Sequence, residues 1–320
     1  MASFILYDCP GDPDFEEGLA EATGRKWIPK VADGRASVSK WRRMANYFLF
    51  PLIFLLTTRR IQSVVAWQQF YGVMTAVYAR LMRRRFPITV MTFIYRPKSG
   101  IAGKLFHRLV KFGITSPSVK EIIVFSPGEV DDYARIFPEA AGKFRFCPLG
   151  IPLPSVKAGE SASGSCIFSA GRSNRDYNIL KQAAEEAGIG LRIACPEENA
   201  GGFSRTEILR DCFGEDMERE MATSLAVAIP LRDAAVSSGQ LVALQAMSMG
   251  KAVVCSDNPA LRPYIAEGKT AIVCRSGEEW VEALRRLSTD SALRIRLGEA
   301  GRERMLANFT MRNLGLAVGK

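Results

Sequence analysis

Short unbroken apolar runs alternate along the chain with longer stretches in which apolar residues recur every three or four positions. The first pattern predicts buried strands and the second amphipathic helices. In the N-terminal half, strands are expected at Phe4–Tyr7, 61–67, 87–95, 121–126 and 144–148. Helices are expected at 40–57, 72–84, 101–113 and 127–136, with Pro10–Pro13 as the exit turn of the first strand. Residues 148–165 are rich in Pro, Gly and Ser without periodicity, which predicts a linker. The rhythm then restarts, with strands at Cys166–Ala170, Leu191–Cys195, Ala226–Leu231, Ala252–Cys255 and 271–274. Helices are expected at Tyr177–Ala187, Gln240–Met249 and 259–265, and onward through about 308. The fold class is therefore α/β, with domains over 1–150 and 166–308, a linker over 151–165, and an open, mostly parallel sheet.

Two turns in the C-terminal half carry candidate chemistry. After the 226–231 run comes a polar loop, then Ser237-Ser238-Gly239 opening a helix at Gln240 and Leu241. A helix N-terminus at the C-terminal end of a parallel strand offers free N–H groups to phosphate. Gly171-Arg172, with Arg175 three residues on, lies between a strand and a helix in the same way. Two arginines beside a second helix N-terminus suit a diphosphate, through fixed charge and forked donors. Gln245 follows Ser238 by seven residues, ~10.5 Å along a helix and on nearly the same face. It would stand beside a nucleoside ribose, able both to donate and to accept.

Charge narrows the partners. Residues 1–150 hold 22 basic and 12 acidic side chains, a balance of +10, whereas 151–320 hold 21 of each. Within 25–120 there are 19 basic residues and one acid, Asp33. Such a surface calls for an anionic partner. Ile101, Leu105, Leu109 and Phe112 form an apolar stripe, with Lys104, His107, Arg108 and Lys111 opposite. That pattern fits a helix lying on an anionic bilayer, or equally a surface helix packing its stripe on the sheet. Met44–Thr58 is uncharged but shorter than the ~20 residues of a spanning helix. It is read either as a half-buried helix of the domain or as a segment dipping into the membrane interface. Zinc-finger spacing and RNA-binding signatures are missing, which argues against nucleic acid. Seven cysteines without C-x-x-C spacing, in mostly apolar surroundings, read as reduced core residues of a cytoplasmic protein with no metal site. His107 is the sole histidine and reads as a surface residue rather than a catalyst.

These residues resemble the group-1 (family 4) retaining glycosyltransferases of GT-B architecture, two Rossmann-like domains facing a central cleft. The resemblance rests on IFSAGRSNRDYNILKQAA, SLAVAIPL, SSGQLVALQAMSMGKAVVCSDNPALRPYIAEGKTAIV and DSALRIRLGEAGRERMLANFT. It is looser in AWQQFYG, VKEIIVFSPGEVDDY and FRFCPLGIP. It implies transfer of a sugar from a nucleotide diphosphate-sugar, without cofactor or metal, to a lipid-linked or surface-polysaccharide acceptor at the cytosolic membrane face. Arg172 and Arg175 would act on the diphosphate as the catalytic cations. Gly171, Ser237, Ser238, Gly239, Gln240, Leu241 and Gln245 would bind the donor. The family's E-x7-E carboxylates fall on Ser237 and Gln245, and its N-terminal-domain His has no equivalent in Thr92–Tyr95. The resemblance also implies a tail over 309–320 returning to the N-terminal domain. A GT-B scaffold that binds nucleotide-sugar without catalysis, or assists a partner transferase, is the alternative these departures leave open. An epimerase would want acidic and histidine side chains that this sequence does not supply.

Overall fold

The computed structural model describes residues 1–32, 39–156, 164–195 and 204–320. The expected linker thus lies partly, over 157–163, outside the described residues. The chain forms two compact units: Met1–Cys147 with Met311–Lys320, and Pro148–Thr310.

The first unit holds β1 (Ala2–Tyr7), β2 (Trp27–Val31), β3 (Ile61–Ala66), β4 (Ile88–Val90), β5 (Val119–Val124) and β6 (Phe144–Phe146). All pair in parallel in the order β2-β1-β3-β4-β5-β6, so the order reverses between β1 and β3. Helices α1 (Pro13–Thr23), α2 (Lys40–Thr57), α3 (Gln69–Leu81), α4 (Gly100–Ile114) and α5 (Pro127–Ile136) connect them. The sheet's two faces feed separate cores. Phe54 and Leu55 of α2, Tyr71 and Val73 of α3 and Val110 of α4 pack on one face. Phe15 and Leu19 of α1 pack on the other, with Met311 and Leu314 of α11 (Met311–Val318).

Three sequence expectations need correction here. The Pro10–Pro13 stretch is a helix start as well as a turn: Asp12 caps α1 by accepting from the Phe15 N–H, and Pro13 occupies the first turn. β2 was unforeseen because Pro29 interrupts its apolar run, which an edge strand tolerates. The strand expected over 87–95 stops at Val90, since Thr92 takes φ +49° with its hydroxyl bonded to the Trp67 carbonyl.

The second unit holds β7 (Cys166–Ala170), β8 (Gly190–Ala194), β9 (Thr206–Leu209), β10 (Ala226–Ile229), β11 (Ala252–Ser256) and β12 (Ala271–Cys274). Its parallel order is β12-β11-β10-β7-β8-β9, reversing between β7 and β10. The helices are α6 (Tyr177–Ala187), α7 (Glu215–Thr223), α8 (Gln240–Ser248), α9 (Gly277–Thr289) and α10 (Ser291–Asn308). The helix expected at 259–265 is instead a chain of tight turns. Asn258 Oδ1 accepts the Ala260 N–H in an Asx turn, and Pro263 has no N–H to give a helix.

Candidate functional site

In an open parallel sheet, ligands bind beyond the strand C-termini at the point where strand order reverses. In the second unit that point lies between β7 and β10, and both sequence-predicted turns leave from it. β7 runs into Gly171 at φ +140°, a conformation that a side chain would strain. A Cβ there would also stand 2.6 Å from the Arg175 guanidinium, which fills the space beneath the turn. Arg175 is 9% exposed and donates from Nε to the Ala170 carbonyl and from Nη1 to the Ser173 carbonyl, both at 3.1 Å. Burial lowers its pKa, with the Tyr177 phenol acting in the opposite direction. Asp176 does not pair with it but caps α6, accepting from the Ile179 N–H at 3.3 Å.

The two arginines therefore differ. Arg175 braces the turn from within, whereas Arg172 is exposed and makes no ion pair among the described residues. Its guanidinium lies over the Phe213 ring, 4.5 Å from the centroid.

The second turn is stitched to the first by an asparagine that the sequence reading passed over. Asn174 takes φ +53°, a conformation asparagine tolerates better than most residues. Its Nδ2 donates to the Asp233 carbonyl (2.9 Å) and to Ser238 Oγ (3.0 Å), while its Oδ1 accepts from the Asp233 N–H (2.9 Å). From the β11 side, buried Asn258 donates to the carbonyls of Asp233 and Val236, both at 3.4 Å. The Asp176 N–H donates to the Pro230 carbonyl at 3.0 Å, joining the turns again through the backbone. An asparagine at a strand C-terminus was the available sequence signal, and a side chain with both donor and acceptor is what such a splice needs.

Gly239, at φ +91°, precedes α8, and a Cβ there would press on Ile229 Cγ2 at 3.0 Å. No side chain caps α8 at this position. The first-turn N–H groups, at buried Gln240 and exposed Leu241, have no carbonyl partner within the helix. Ser237 Oγ accepts instead from Gln240 Nε2, at 2.6 Å. Within α8, Gln245 is half-buried, and its Oε1 is sealed from solvent without a hydrogen-bond partner. A buried acceptor left unmade costs about 1–3 kcal/mol. The structure thus brings Gly171, Arg175, Ser238, Gly239 and Gln240 into one braced pair of turns, with Arg172 exposed beside it. Gln245 lies further along α8. Among the described residues no three His, Cys, Asp or Glu side chains converge as a metal's ligand set.

Comparison with known proteins fits this geometry. Residues 172–314 match the family described as "Glycosyl transferase-like". No curated protein matches the chain by sequence. Among solved structures, sucrose-phosphate synthase from Thermosynechococcus elongatus is similar with a TM-score of 0.67 at 16% identity, over 100% of this chain and 98% of that one. HepE from Anabaena, solved with UDP-glucose, gives 0.68 at 14% identity, over 99% and 98% of the two chains. WaaG, a glycosyltransferase involved in lipopolysaccharide biosynthesis, gives 0.57 at 15% identity, over 95% and 94%.

Proposed function

We propose that this chain, a glycosyltransferase of GT-B type, moves a sugar from a nucleotide diphosphate-sugar to a lipid-linked or surface-polysaccharide acceptor on the cytosolic membrane face, with retention at the anomeric carbon. The observation that carries the donor half is the pair of turns spliced by Asn174 at the reversal point of the second sheet. There, Arg172 and the α8 N–H groups hold the diphosphate. Arg175 adds its charge from beneath the turn and keeps Gly171 in place. Rotation of the Gln245 side chain, whose Oε1 is closed off and unpartnered in the free protein, brings that acceptor to a ribose hydroxyl.

In the reaction the acceptor hydroxyl oxygen forms a bond to the anomeric carbon on the face from which the diphosphate departs. The carbon–oxygen bond to the β-phosphate breaks, and the acceptor's proton passes to a departing diphosphate oxygen. What the protein supplies is stabilisation of the negative charge growing on that diphosphate, by one exposed cation, one buried cation and a helix N-terminus. The acceptor half rests on the basic first 150 residues, read with the absence, among the described residues, of any helix long and apolar enough to cross a membrane. Attachment of this basic half at an anionic surface gives access to a lipid-linked acceptor.

The test is donor binding. Arg172→Ala should weaken UDP or GDP binding by about 1–3 kcal/mol in titration calorimetry, and transfer from the matching nucleotide-sugar should fall with it. Unchanged affinity for both nucleotides in that variant would remove the diphosphate assignment. Proton NMR of the product should give the donor's anomeric configuration, and an inverted product would exclude the retaining route.

A further inference from the structure

The first unit carries an apolar surface that its own fold leaves uncovered. Around α2, burial follows the helical repeat, with Phe54 and Leu55 facing the sheet. The opposite side presents Trp41, Met44, Phe48, Leu49, Ile53 and Leu56 to solvent, with Trp41 81%, Leu56 65% and Ile53 55% exposed. A helix of a soluble domain ordinarily turns its polar side outward. Among the described side chains on this side of α2, the one charged exception is Arg42. α4 repeats the inversion. Gly103, Val110, Gly113 and Ile114 pack inward; of the sequence's apolar stripe, Ile101 (80%) and Leu105 (58%) are exposed, Leu109 is half-buried, and Phe112 reaches solvent beneath the Arg80 guanidinium. The reading in which the whole stripe packs on the sheet does not hold for Ile101 and Leu105.

The two helices lie on the same face of the sheet, either side of α3. Phe70 of α3 links them, its ring centroid 5.1 Å from that of Tyr47 in α2 and 5.9 Å from that of Phe106 in α4. Arg84 anchors the C-terminus of α2 by donating to the carbonyls of Leu55, Thr58 and Arg59. The platform is therefore fixed from beneath. Arg42 on α2, Arg59 and Arg60 just past its C-terminus, and Lys104 and Arg108 on α4 are all exposed. Lys111 is instead paired with Glu139.

We infer that the outward faces of α2 and α4 form one membrane-docking surface, in which α2 lies in the interface of an anionic bilayer with its apolar side among the acyl chains. The inference rests on the proposed lipid-linked acceptor and names the element that reaches that acceptor's surroundings. Charge complementarity selects the occupant: exposed basic residues on the same helices as the apolar faces match anionic headgroups over hydrocarbon. A second copy of the chain fits poorly, because a two-fold contact would set these basic residues against their own copies.

The full-length protein is mixed with phosphatidylcholine vesicles, with and without phosphatidylglycerol, and the emission of Trp41 is followed, with Trp41→Phe as the blank. Trp41 should shift to the blue on the anionic vesicles and be quenched by lipids brominated in their acyl chains. The double variant Phe48→Glu with Ile53→Glu changes only exposed positions, so its melting temperature should match the parent's. Its vesicle affinity should fall on the order of tenfold or more. Trp41 emission unmoved on vesicles, or parental affinity in the double variant, overturns the inference. So does a concentration-dependent dimer that this variant dissolves. The reading beneath it is tested separately: transfer to a detergent-dispersed lipid acceptor without vesicle binding would refute the docking surface alone, and vesicle binding without transfer would refute the acceptor alone.

Discussion

Gln245 and Arg175 show how much a single side chain's surroundings decide. A glutamine whose Oε1 is buried and unpartnered gains from any side-chain rotation that meets a donor, and in the proposed function a ribose hydroxyl is that donor. Gln245→Leu should therefore weaken nucleoside diphosphate binding about fivefold to a hundredfold while leaving inorganic diphosphate binding unchanged in the same calorimetric titration. Equal losses for both ligands would place Gln245 in the phosphate grip instead. The sequence marked both residues as site members, but it could not separate the exposed arginine from the bracing one. That distinction depends on where Gly171 turns, and a backbone angle is not written in residue type.

Asp8, just beyond β1, gives a pH signature at the same scale. Burial raises its carboxyl above the ordinary aspartate range, against a hydrogen bond from its own backbone and another from Cys9. A raised pKa means that the folded state holds the proton more tightly than the unfolded chain. Its stabilising contribution is complete below the ordinary aspartate value and is lost as pH rises through the folded one. Asp8→Asn should accordingly raise the melting temperature at neutral pH, with the gain vanishing in acid. A gain that persists unchanged in acid would mean the effect is not ionisation.

Among the elements, α1 and α11 are closely fitted through their glycines. A Cβ on Gly18 would stand 2.2 Å from the Arg312 carbonyl oxygen, and one on Gly315 would stand 2.3 Å from that of Phe15. The two backbones approach through these glycines, and Arg312 adds ion pairs to Glu17 and Glu21 across the join. Gly18→Val should destabilise the first unit by about 1–3 kcal/mol and expose residues 311–320 to limited proteolysis. A protected C-terminal segment in that variant would show that the crossing can widen at little cost. Most elements were legible from periodicity, including α2 and α5 at their observed limits. Of the missed elements, α1 has its apolar pair in Phe15 and Leu19 but the sequence reading stops at the exit turn of the first strand, whereas three others share a cause. β2 carries a proline, β9 is a four-residue edge strand, and α7 is mostly charged, so each lacks the apolar repeat that marks an element from sequence.

For the whole molecule, the reversal of strand order in each sheet was the part hidden from sequence. Alternation predicts parallel pairing but not which strands become neighbours. The charge asymmetry was legible from composition, whereas for the uncharged run of α2 the sequence left two readings open, and which side faces outward was not legible. Burial of a fifteen-residue uncharged run depends on what the fold places against it.

The return of α11 has a bearing on how the chain is made. Residues 148–310 are spelled out between the two segments of the first unit, so that unit cannot be finished in the order of its synthesis. When β6 emerges, Phe15 and Leu19 still lack the Met311 and Leu314 that cover them. At about 5–20 residues per second, the interval before residue 311 is translated is on the order of ten seconds or more. The second unit can close within that time. A released chain truncated after residue 310 should hold a folded C-terminal unit beside an N-terminal one open along α1, and adding a peptide of residues 311–320 should close it.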